Sequence, residues 1–149
     1  MNRRRFVLFL GALPVLCAPG LARAASNRAA TLYKDPACGC CADHARYLTR
    51  AGFAVTVVDD PAALDAIKAE YRVPPALQGC HSTVIEGYVI EGHVPAGVIE
   101  RLLAERLPIR GLALPGMPLG SPGMGGAKEA PFEIVVIDDA PRPTVYAVE

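Results

Sequence analysis

Three of the five cysteines fill Cys38-Gly39-Cys40-Cys41, and a fourth, Cys80, is followed directly by His81. Clustered thiols serve packing poorly, and outside the cytoplasm each is a liability unless paired or ligated. Gly39 leaves the backbone free to curl so that neighbouring sulfurs face one point. Four thiols can make two disulfides, a redox dithiol or a soft-metal nest.

Cys38-x-x-Cys41 has the spacing of a thioredoxin-type dithiol. Cys40 lies between the pair, however, and can attack any disulfide they form. No proline stands in Cys80-His81-Ser82-Thr83, where such enzymes carry one beside the dithiol. Thiolates select Cu(I), Zn and Fe–S clusters. A single structural zinc is usually held by spaced pairs of ligands. The adjacent Cys40 and Cys41 are expected to diverge, which several bridged ions tolerate better than one tetrahedral ion. Met117 and Met124 offer thioethers, soft donors suited to Cu(I) and too weak for zinc. His81, next to Cys80, is a candidate ligand. So is His44, three and four residues after Cys41 and Cys40 on one helical face. The metal set expected from the residues is therefore Cys38, Cys40, Cys41, Cys80, His81, Met117, Met124 and His44, holding copper as several Cu(I) ions. His93, before Val94-Pro95, is expected to make a helix-entry hydrogen bond, and Asp138-Asp139 to form a turn. The chain has no nucleophile–base–acid set and no phosphate loop.

The elements that must position these residues follow from periodicity. Ala29–Lys34 reads as a strand, Cys38–Cys41 as a loop, and Cys41–Ala51 as a helix stopped by Gly52. Phe53–Val58 is a β-branched strand. Asp60-Pro61 opens a helix to about Tyr71, broken by Val73-Pro74-Pro75. Thr83–Glu86 and Tyr88–Glu91 form a hairpin about Gly87, and Pro95 opens a third helix. This β-α-β-α-β-β-α order predicts an α/β, thioredoxin-like fold with a right-handed crossover. Gly111–Ala130 is Gly/Pro-rich and reads as a long irregular loop able to fold over the cleft. Phe132–Asp138 and Thr144–Val148 read as an added C-terminal hairpin. In that topology the loop after the first strand and the loop before the hairpin meet. That would bring Cys80-His81 to the cysteine cluster, where a helix N-terminus favours thiolate.

The chain of 149 residues suffices for one domain with a core. Arg3-Arg4-Arg5, the apolar run Phe6–Ala18 and Ala22-Arg23-Ala24 read as an export signal over residues 1–24, cleaved after Ala24. Arg3-Arg4 leaves open whether the signal is the ordinary or the twin-arginine type. Cys17 goes with it, and residues 25–149 form the mature domain. That domain has 11 basic and 15 acidic residues, a formal charge of −4, which argues against nucleic acid and anionic membranes. The expected product is soluble in the periplasm, with copper ions and other periplasmic copper-handling proteins as its candidate partners.

The segments YKDPACGCCADHARYLTRAGF, GCHSTVIEGYVIEGHVPAGVIERLL and GLALPGMPLGSPGM closely resemble a small exported metal-binding family. It is a domain-of-unknown-function family typified by the CopG-type bacterial copper-resistance proteins. The resemblance implies a thioredoxin-like fold and thiolate-bound copper at Cys38, Cys40, Cys41 and Cys80. Family members commonly carry Trp at the position of His44 and His at that of Tyr47. The function expected is copper resistance by holding Cu(I). A thiol–disulfide oxidoreductase and a disulfide-stapled domain that binds partners through its Gly/Pro loop are the alternatives.

Overall fold

The computed structural model describes residues 28–149. The export signal expected over residues 1–24, with Cys17, lies outside them. Strand β1 (Arg28–Lys34) leads into helix α1 (Gly39–Arg50), β2 (Phe53–Asp59) and α2 (Pro61–Glu70). A short 3-10 turn, Pro75–Leu77, precedes the hairpin β3 (His81–Ile85) and β4 (Tyr88–Glu91). Then come α3 (Ala96–Glu105), β5 (Gly111–Ala113), β6 (Glu133–Ile137) and β7 (Val145–Val148).

Local chemistry explains the boundaries. Asp60 caps α2, its Oδ1 accepting from the N–H groups of Ala62 at 2.9 Å and Ala63 at 3.3 Å, with Pro61 in the first helical turn. Glu86 and Gly87 turn the hairpin with positive φ, a conformation glycine adopts without penalty. The expected loop Cys38–Cys41 is instead the start of α1. Cys38 is the N-cap, in extended conformation, and Gly39, Cys40 and Cys41 are already helical. His81, expected in a loop, opens β3 because its backbone pairs with Lys34 on β1.

All seven strands form one sheet in the order β2-β1-β3-β4-β5-β6-β7. The β1/β2 and β4/β5 pairs are parallel, and β1/β3, β3/β4, β5/β6 and β6/β7 antiparallel. The larger core packs Leu48 of α1 and Val98, Ile99, Leu102 and Leu103 of α3 on Ile85, Ile90, Leu112 and Ile134. A smaller cluster gathers Val73, Leu77, Val89, Val135 and Ile137, with Ile67 and Tyr71 against it. The sheet is thus covered on both faces, as its mixed, largely apolar strands require.

The irregular loop expected over Gly111–Ala130 needs correction. Its first three residues form β5, through which the C-terminal hairpin joins the sheet. A Cβ at Gly111 would sit 1.7 Å from the Val89 carbonyl oxygen. Only glycine admits this approach, and tertiary pairing makes a strand of a segment that composition marks as a breaker.

Candidate metal centre

Cys38 stands at the N-cap of α1, Cys40 and Cys41 in its first turn, and Cys80 just before β3. Because β1 pairs with β3, with Lys34 opposite His81, the end of β1 that feeds α1 lies beside the start of β3. The two cysteine segments therefore meet at one end of these two interior strands. All four sulfurs lie within 4.8 Å of one another. Cys80 Sγ is 3.0 Å from Cys41 Sγ and 3.9 Å from Cys40 Sγ, and Cys38 Sγ is 3.5 Å from Cys40 Sγ. Cys40 and Cys41, expected to diverge, both reach this group, with Cys80 Sγ near each of them. Cys41 is fully buried and the other three are half-buried.

Cys38 and Cys41 are joined by a disulfide, while Cys40 and Cys80 are free. Burial, then the charge of Cys40 and its hydrogen bond, push the Cys80 thiol up to about 11. Cys80 is thus a thiol at neutral pH. Once the disulfide is reduced, four soft donors this close together suit a thiophilic cation, and the first turn of α1 adds a partial positive charge favouring thiolate.

Behind the sulfurs lie His44, His81 and His93, each fully buried. Their ring centroids are 4.9 Å (His44–His81), 5.1 Å (His44–His93) and 4.9 Å (His81–His93) apart. Burial, then the charge of His93, lower His44 to about 4. Burial likewise lowers His81 and His93 from their ordinary value. All three rings are therefore neutral at pH 7. His93 does not make the expected helix-entry bond. Its Nδ1–H donates instead to the Pro122 carbonyl of the Gly/Pro loop at 2.7 Å. The helix entry is served by the Tyr47 hydroxyl, which accepts from Ala96 N–H at 3.0 Å. The hairpin register held the signal for this: with Ser82 opposite Glu91, one step outward puts His81 beside Gly92 and His93.

A second group that sequence reading missed holds Cys80 in place. Lys68 and Glu91 form a buried ion pair at 3.0 Å. Lys68 Nζ donates to the Gly79 carbonyl, Gly79 N–H donates to Glu91 Oε1 at 2.7 Å, and the Ser82 hydroxyl donates to Glu91 Oε2 at 2.6 Å. Burial pushes the Glu91 carboxyl up, against the downward pull of the Ser82 hydrogen bond and the Lys68 charge. These bonds clamp residues 79 and 82 on either side of Cys80-His81.

The Gly/Pro loop folds onto this region. A Cβ at Gly123 would lie 2.6 Å from His44 N, so the loop backbone rests directly on the second turn of α1. Met124 is half-buried there. Met117 is 38% exposed, at the surface rather than in the buried cluster.

A family model described as "Protein of unknown function, DUF411" matches residues 77–124, the stretch from the 3-10 turn through Cys80, His81, His93 and the loop. Among curated proteins no relative matches the chain. Two solved structures do. "Copper resistance protein copG- Form 2" is 38% identical, with 82% of this chain and 98% of that one covered and a TM-score of 0.72. "Copper resistance protein copG- Form 1" is 37% identical, with 83% and 98% covered and a TM-score of 0.74. An identity of this size over nearly the whole of each relative, with the mixed seven-stranded sheet and three helices of this chain superposing on them, settles kinship: the chain belongs to the DUF411 family of CopG-type copper resistance proteins.

Proposed function

We propose that this protein is a periplasmic copper-binding protein for copper resistance and homeostasis, holding Cu(I) on the thiolates of Cys38, Cys40, Cys41 and Cys80. The observation that carries this reading is the convergence of four sulfurs within 4.8 Å from two segments of the chain. His81, Met117 and Met124 are the flanking donors of this reading; His44, expected as a further ligand, has one ring nitrogen engaged by the Val94 carbonyl and the other by His81, and stands behind them. Export through the N-terminal signal, residues 25–149 as the mature domain, and a thioredoxin-like frame belong to it. The order β2-β1-β3-β4 with β3 antiparallel to its neighbours supports that frame. Among the described residues no helix is long and apolar enough to cross a membrane.

Loading all four thiolates requires the Cys38–Cys41 disulfide to be reduced, two electrons and two protons coming from an external dithiol that is itself oxidised. The test is titration of the reduced chain with Cu(I) against a chromophoric Cu(I) chelator. More than one Cu(I) per chain is expected, with affinity falling at low pH as thiolates protonate. Saturation below one ion overturns the reading.

A thiol–disulfide oxidoreductase is the second reading, and one observation favours it. The Cys80 thiol lies 3.0 Å from Cys41 Sγ of the disulfide. Its thiolate can attack Cys41, forming Cys41–Cys80 and releasing Cys38 as a thiolate. This is exchange without net oxidation. Weak insulin-disulfide reduction compared with a thioredoxin is the result expected if copper binding is the function.

A further inference from the structure

With Cys38 and Cys41 joined, two of the four thiolates are withdrawn from ligation. A second donor set stays whole. Cys80 Sγ and one ring nitrogen from each of His81 and His93 lie within 4.8 Å of one another. The hairpin brings them together, for the His81 carbonyl accepts from Gly92 N–H at 3.2 Å, next to His93.

Hydrogen-bond partners fix which ring nitrogens are bare. The Val94 carbonyl can only accept, so His44 Nε2 carries the hydrogen and donates to it at 3.2 Å. His44 Nδ1 is then bare and accepts from His81 Nε2–H at 2.9 Å. That leaves His81 Nδ1 bare, 3.7 Å from Cys80 Sγ. In His93 the Pro122 carbonyl takes the Nδ1–H, leaving Nε2 bare. This Nε2 is buried with no hydrogen-bond partner among the described residues, on a side chain with 0% exposure. A buried polar atom without a partner is costly and calls for a ligand or a water.

We propose that Cys80, His81 and His93 form a second copper position, one thiolate with two imidazoles, that remains competent when Cys38 and Cys41 are oxidised. His44 is its positioning residue, fixing the tautomer of His81 as the Pro122 carbonyl fixes that of His93. The proposal rests on the copper-binding reading above and deepens it. Ligand histidines characteristically donate their second N–H to a carbonyl or other acceptor, which orients the ring and leaves the other lone pair for the metal. Imidazole and thiolate together suit copper or zinc. Cu(I) with one thiolate and two neutral imidazoles has no net charge. A divalent ion would leave an uncompensated positive charge at buried side chains, which is unfavourable. His44 has both nitrogens engaged and acts on the metal through His81.

The test uses the full chain with its Cys38–Cys41 disulfide verified by mass spectrometry. Cu(I) is added as its acetonitrile complex in oxygen-free buffer without reductant, and copper K-edge X-ray absorption identifies the ligands. The expected result is one Cu(I) per oxidised chain, with imidazole-nitrogen and sulfur scattering together. His93→Phe should remove nitrogen scattering, and His44→Phe should weaken binding about 10–100-fold, while both reduced variants still load copper on four thiolates. Since either change can perturb folding, imidazole nitrogen NMR of the unloaded wild type gives a variant-free check. Nε2–H is expected in His44 and His81, and Nδ1–H in His93. Copper held by sulfur alone, no copper on the oxidised chain when the reduced chain takes it, or an Nε2–H in His93 overturns the proposal. If the reduced chain also binds none, the copper-binding reading itself falls.

Discussion

Cys80 Sγ lies 3.0 Å from Cys41 Sγ although the two cysteines are 39 positions apart in the chain. The antiparallel pairing of β1 with β3 makes this contact, by setting the start of β3 beside the entry to α1. Cys80 is therefore as much a part of the cluster as the three cysteines that are neighbours in sequence. Cys80→Ser should lower the copper stoichiometry of the reduced protein about as much as serine at Cys38, Cys40 or Cys41. Normal copper content in Cys80→Ser, by metal analysis with thiol titration, would refute the shared site.

Cys40 separates the two readings of the thiols. A dithiol enzyme needs Cys38 and Cys41 and tolerates Cys40→Ser. A thiolate metal cluster loses a ligand 3.5 Å from Cys38 Sγ and 3.9 Å from Cys80 Sγ. Cys40→Ser should thus reduce both copper content and copper tolerance in cells. Full disulfide reductase activity in this variant, with tolerance unchanged, would instead establish the oxidoreductase.

Acid should destabilise the unloaded fold through its buried histidines. His44 titrates at about 4 in the folded chain against an ordinary value of 6.5, and His81 and His93 are lowered too. Between these values the unfolded chain binds protons that the folded chain does not. The stability is fully present above pH ~6.5 and is lost as pH falls toward ~4, with His44 alone accounting for about 3 kcal/mol. Urea unfolding at pH 7 and pH 5 measures this, and an unfolding midpoint that does not fall at pH 5 would contradict it.

The Lys68–Glu91 pair holds the backbone on both sides of Cys80. Glu91→Ala leaves the Lys68 ammonium buried without its carboxylate and should cost about 3–5 kcal/mol. Replacing both residues with apolar ones should recover much of that stability yet leave copper binding weakened, because residues 79–82 lose their anchor. Urea unfolding alongside Cu(I) competition titration separates the two effects; full copper affinity in the double variant would show that the clamp does not position Cys80.

Gly123 lets the Gly/Pro loop rest on α1. In Gly123→Ala a methyl group would sit 2.6 Å from His44 N, at a φ of +87°. Relieving that overlap should cost about 1–3 kcal/mol and lift the loop from His93. A lower melting temperature and faster proteolysis within residues 115–130 are expected. Wild-type values for both would mean that the loop is not seated by this contact.

The sequence by itself determined the strand and helix order from β1 to α3, the capping of α2 at Asp60-Pro61 and the hairpin about Gly87, because capping, β-branching and turn chemistry are local. It also determined the thiol-rich character of the site, since residue types and near spacing are written in the chain. The tertiary structure decided what depends on pairing across distance. Gly111–Ala113 is a strand only because β4 and β6 flank it, and local composition argues against one. His93 joins His44 and His81 only through the hairpin register and the seated loop, where its spacing from Pro95 suggested a helix entry. The Lys68–Glu91 pair joins residues 23 positions apart on α2 and β4. In sequence they look like ordinary surface charges, and packing alone takes both out of water.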